Sequence, residues 1–151
     1  MGWDWMKNNL FININLTESN VDFQSYNYWF SLIDYFITSA NFIEFHVWNE
    51  EVETIEELSL KTNLEKIDLH PMKMVCFQGD INKKIINFIL QESLSQNGEI
   101  KWFSLFLKYN GNCFFESSHW GSEINIENPS EKEIIMFKKF MPKNAIFHHF
   151  K

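Results

Sequence analysis

EIKWFSLFLKYNGNCFFESSHW, residues 99–120, carries two aromatic-rich apolar runs on either side of Asn110-Gly111. Asn-Gly between such runs is the strongest short-range hairpin signal a chain gives, because a type I′ turn needs positive φ at both central residues. Asn tolerates that region and Gly adopts it freely. The expected register sets Tyr109 opposite Asn112, Leu107 opposite Phe114, Phe106 opposite Phe115 and Ser104 opposite Ser117. Phe103, Leu105 and Leu107 then share one face, and Trp102, Phe106 and Phe115 the other. Both faces are apolar, so the hairpin is expected at the centre of a sheet and covered on both sides.

Working outward, Asn97-Gly98 closes a helix expected over residues 81–96, capped by Asp80 and buried through Ile81, Ile85, Phe88 and Ile89. Residues 72–78 read as a strand stopped by Gly79, while residues 61–71 fit either a helical turn or a short strand. Residues 42–48 (FIEFHVW) alternate, with Ile43, Phe45 and Val47 on one face. Phe42, Glu44, His46 and Trp48 form the opposite, solvent- or ligand-facing set. Residues 11–16 alternate as a half-buried strand, and residues 21–40 read as a helix with an apolar stripe through Tyr26, Trp29, Phe30, Ile33, Phe36 and Ile37.

Downstream, Ile124 and Ile126 mark a short strand. Ser130 and Glu133 form a capping box that starts an amphipathic helix ended by Pro142. Residues 145–150 fit an edge strand or a docked tail. The fold class is therefore α+β: one domain over residues 1–151, with a mostly antiparallel sheet, a central Asn-Gly hairpin and three to four helices packed on it.

The formal net charge is −7 and all 13 basic residues are Lys. Without Arg, the chain lacks the bidentate fork suited to phosphate and guanine, so no nucleic-acid partner is expected. No apolar run approaches the ~20 residues needed to span a bilayer. The opening MGWDWMKNNL has no basic segment followed by an apolar run, so a cytoplasmic location is expected, and Asn15-Leu16-Thr17 reads as a chance sequon.

Candidate chemistry is thin. His46, His70, His119, His148, His149, Cys76 and Cys113 form no HExxH or CxxC spacing, so neither a metal nor another cofactor is expected. No Gly-rich phosphate loop and no strained G-x-S-x-G elbow occurs. An enzymatic alternative builds a hydrolase-like pocket from Cys113, Glu116 and His119. A further alternative is a homo-oligomeric structural or phage-accessory protein. Neither outranks the densest charge run, Glu50, Glu51, Glu53, Glu56 and Glu57, in a segment of helix length. With Trp48 and Glu44 nearby, that run reads as a surface for a basic protein, since complementary potentials speed encounter and set register.

A small, acidic, aromatic-rich α+β chain carrying EEVETIEE and FSLFLKYNGNCFFES resembles bacterial immunity proteins that neutralise polymorphic toxins. The resemblance implies a cytoplasmic, non-catalytic protein bound tightly to one cognate toxin domain, often a nuclease.

Overall fold

The computed structural model describes residues 8–15 and 26–150. The expected helix start at residues 21–25 and the Leu16-Thr17 part of the sequon lie outside the described residues. In chain order the elements are β1 (Asn9–Asn13), α1 (Asn27–Ile37), β2 (Phe42–Trp48), α2 (Val52–Lys61), β3 (Glu65–Asp68) and β4 (Met74–Asp80). They continue with α3 (Lys83–Glu92), β5 (Ser104–Tyr109), β6 (Asn112–Ser118), β7 (Glu123–Glu127), α4 (Glu131–Phe140) and β8 (Ile146–Phe150). The strands form one eight-stranded sheet in the order β3-β4-β2-β5-β6-β7-β1-β8. All its pairings are antiparallel. The architecture is α+β, and β5 and β6 occupy the middle of the sheet.

One hydrophobic cluster joins all four helices to the sheet. Ile43, Phe45 and Val47 of β2, Leu105 and Leu107 of β5, and Leu10 and Ile12 of β1 meet Trp29 and Ile33 of α1, Leu58 of α2, Phe88 of α3 and Phe137 of α4. These strand residues share one face of the sheet, so among the described residues the helices cover that face only. Among the described residues, the hairpin, expected to be covered on both sides, is covered by helices on one side only. The other face carries Glu44, His46, Phe106, Lys108 and Glu116, none of them fully buried, and is amphipathic rather than apolar.

The hairpin turns through Asn110 (φ 48°) and Gly111 (φ 84°), and Tyr109 stands opposite Asn112. Beyond Lys108 and Cys113 the register departs from a plain two-residue hairpin: Leu107 faces Phe115, Phe106 faces Glu116 and Ser104 faces Ser118. A bulge inserts Phe114 as an extra residue. It lets two consecutive aromatics reach the same helix, with ring centroids of Phe114 and Phe115 at 6.0 and 5.2 Å from Phe36. Phe115 therefore joins the face of Leu105 and Leu107, not that of Phe106. Trp102 and Phe103 are also reversed from expectation, because β5 begins only at Ser104 and strand alternation does not extend back to them. Trp102 turns into the core against Phe45 at 4.7 Å, and Phe103 turns outward.

Other differences have local causes. β4 runs through Gly79 to Asp80, and a Cβ on Gly79 would lie 2.9 Å from Leu64 Cδ2, so Gly79 permits close approach instead of ending the strand. Asn82, not Asp80, caps α3, its Oδ1 accepting from the Ile85 N–H at 2.9 Å. That helix ends at Glu92, because residues 94–100 fold into a turn closed by a bridge between Leu94 and Ile100. On α2, Val52 is 56% exposed and the helix packs through Leu58. The Ser130–Glu133 capping box is fully formed. No helix is long and apolar enough to cross a membrane among the described residues.

Candidate functional site

β2 ends at Trp48, and the chain turns sharply into α2 with Glu51 N–H donating to Trp48 O at 3.0 Å. The Glu51 carboxylate reaches back across this turn. Its Oε1 accepts from the Trp48 N–H at 3.3 Å, and its Oε2 accepts from the Trp120 indole N–H at 3.3 Å. Phe103 sits between the two tryptophans, with ring centroids 5.1 Å from Trp48, 4.8 Å from Trp120 and 5.1 Å from His119. Edge-to-face geometry of this kind contributes about 0.5–1.5 kcal/mol per pair beyond area burial. Yet Trp120 remains 37% exposed.

The turn that presents these rings is strained. His119 (φ 51°), Trp120 (φ 54°) and Gly121 (φ 86°) are consecutive left-handed residues. For His and Trp that conformation costs on the order of 1–2 kcal/mol each. Several bonds hold it in place: Trp120 N–H donates to Phe103 O at 3.2 Å, Ser122 Oγ donates to His119 O at 3.0 Å, and the Tyr28 hydroxyl donates to Gly121 O. His119 Nδ1 also lies 3.2 Å from Glu123 Oε1. A strained loop over-determined in this way is a recurrent property of functional sites.

The acidic run divides on folding. Glu50, Glu53 and Glu56 are exposed, as are Val52 and Leu60, the latter at 86%. Glu57 turns back onto the protein, where it accepts from Lys101 Nζ at 2.6 Å and Lys61 Nζ at 3.2 Å. Glu44 shares the open face of β2 with Trp48 but stands four residues further back along the strand, roughly 13 Å at ~3.3 Å per residue, where it pairs with Lys108. The structure thus ties Trp48 and Glu51 to Trp120 at one end of the sheet. It leaves Glu50, Glu53 and Glu56 exposed on or just before α2, and pairs Glu44 and Glu57 with lysines of the same chain. Trp120, His119 and Phe103 complete the patch. No local pattern marks them in the sequence, since Trp120 meets Glu51 across 69 residues.

On the open face, Glu44 and His46 of β2 stand beside Cys76 of β4, and one ligand atom from each lies within 4.8 Å of the others. Burial pushes the Glu44 carboxyl up, but Lys108 and then His46 outweigh it and hold Glu44 below the usual carboxylate range. Burial, followed by the charge of Glu44, pushes the Cys76 thiol up to about 12.

Further along this face a groove of about 210 Å³ is lined in part by Cys113, Glu116, Asn125 and Asn9. Burial and then Glu116 push the Cys113 thiol up to about 11, and burial and then Glu123 raise Glu116 as well. A thiol raised this far is a poor nucleophile at neutral pH. His119 lies beyond the end of β6, roughly 20 Å along the strand from Cys113 at ~3.3 Å per residue. Cys113, Glu116 and His119 do not converge on one reacting atom. Comparison with protein families, with curated proteins and with solved structures finds no match to this chain.

Proposed function

We propose that the chain is a non-catalytic protein-binding module, an immunity-type inhibitor whose acidic and aromatic surface occludes a basic toxin domain, such as a nuclease, in the cytoplasm. The Glu51 carboxylate carries this reading, because it ties the N-terminus of the acidic helix to the exposed Trp120. Interface energy concentrates in aromatic anchors with a charged surround. Here Trp120 and Phe103 are the anchors, and Glu50, Glu53 and Glu56 supply the surround. Glu44 and Glu57 stand outside the surface, since lysines of the same chain already neutralise them. The overall charge of −7 favours encounter with a cationic partner.

Mixing the chain with a cationic toxic domain encoded beside its gene tests this. A stoichiometric complex and loss of the toxic activity are expected. Replacing the anchor (Trp120→Ala) weakens the complex by about 2 kcal/mol, roughly thirtyfold. Absence of a complex, or undiminished affinity of the Trp120→Ala protein, contradicts the proposal.

A further inference from the structure

We propose that Glu44, His46 and Cys76 form a binding site for a zinc-like divalent cation on the open face of the sheet. Strand register builds the site. Glu44 and His46 are two residues apart and share one face of β2, while Cys76 stands directly opposite His46 on β4. His46 Nε2 lies 3.2 Å from Glu44 Oε2, and Cys76 Sγ lies 3.9 Å from that same oxygen. Donors at ~2.0–2.3 Å from a tetrahedral ion sit about 3.3–3.8 Å from one another. Two of the three pairs are close to that spacing, and all three fall within 4.8 Å.

The donor set selects the ion. Thiolate, imidazole and carboxylate together suit Zn²⁺ or Co²⁺, whereas Mg²⁺ and Ca²⁺ take oxygen ligands. The surroundings support the same assignment. Lys108 bonds Glu44 through Oε1, which leaves Oε2 turned towards His46 and Cys76. An outer partner of that kind orients a ligating carboxylate. The Phe106 ring, 4.7 Å from the His46 ring, limits its swing. Carboxylate and thiolate together carry two negative charges against the single positive charge of Lys108. On binding, the thiol proton passes to solvent and the sulfur–metal bond replaces it. The fourth position of the ion faces the side of the sheet that no described helix covers, where water can fill it. The inference is independent of the α2 surface.

Titration of the reduced full-length chain with Co²⁺ tests it. Expected are one Co²⁺ per chain, a sulfur-to-cobalt charge-transfer band in the near ultraviolet and the visible bands of a four-coordinate ion. Zn²⁺ displaces the Co²⁺. Cys76→Ser abolishes the charge-transfer band and Cys113→Ser retains it. His46→Gln, which alters a partly exposed side chain, weakens binding by roughly tenfold or more. Absence of the band in the unaltered chain, or its survival in Cys76→Ser, overturns the proposal. If Cys76→Ser fails to fold, an unchanged Co²⁺ affinity in His46→Gln overturns it instead.

Discussion

Glu51 and Trp120 are joined by a hydrogen bond of 3.3 Å between carboxylate and indole, and the same carboxylate accepts from the backbone of Trp48. One side chain thereby fastens the start of α2 to the end of β2 and to the turn after β6. Removing it releases two donors at once. Glu51→Ala is expected to cost on the order of 1–2 kcal/mol, a fall of roughly 2–8 °C in Tm for a domain of this size. Glu53→Ala, on the exposed side of the same helix, leaves Tm nearly unchanged. Thermal melts of the two proteins side by side check the difference, and equal melting points contradict the role given to Glu51.

Gly121 supports the same turn from beneath. Its φ is 86°, and an added Cβ would lie 3.1 Å from Ile100 Cγ1 and 3.2 Å from Trp29 Cδ1. Gly98 also has positive φ, at 78°, but nothing lies within 4 Å of its Cβ position. Gly121→Ala should therefore destabilise by about 2–3 kcal/mol through conformation and crowding together. Gly98→Ala carries only the conformational cost of about 1 kcal/mol. Chemical denaturation of both variants separates the two contributions, and a Gly98→Ala loss as large as that of Gly121→Ala would refute the crowding.

Glu116 supplies a pH dependence. Burial first, and the neighbouring Glu123 second, raise its folded pKa above the ordinary 4.5. The folded chain then keeps a proton that the unfolded chain releases, so this group's contribution to stability falls as pH rises from about 4.5. The loss is complete above the raised value. Glu116→Gln removes the buried charge, and the variant is expected to be more stable than the parent at pH 7. Its advantage shrinks as the pH is lowered towards 4.5. Melting curves across that range check the sign, and a variant less stable than the parent at pH 7 would reverse it.

Features set by neighbouring residues were legible in the sequence. FIEFHVW alternates cleanly, and β2 buries Ile43, Phe45 and Val47. Ser130 and Glu133 announce the start of α4 because both halves of the capping box lie within one helical turn. Phe114 and Phe115 were not legible in the same way. Either can face the core in a regular strand, and only packing on Phe36 shows that both do. Gly79 fits a strand end as readily as a close approach until Leu64 is placed beside it.

The candidate surface followed the same rule. EEVETIEE marks an acidic helix, but helix phase and distant lysines decide which glutamates face outward. Glu57 is drawn in by Lys101, 44 residues away. Glu44 and His46 share a face by strand alternation alone. Their meeting with Cys76 depends on β2 pairing with β4, which no local pattern encodes.

The association rate with a cationic toxin domain, followed over a range of ionic strength, bears most directly on the proposed binding surface. The chain carrying Glu50→Lys, Glu53→Lys and Glu56→Lys should associate about tenfold or more slowly at low salt, with a shallower salt dependence and an unchanged melting point. An association rate and salt dependence equal to those of the parent chain would contradict it.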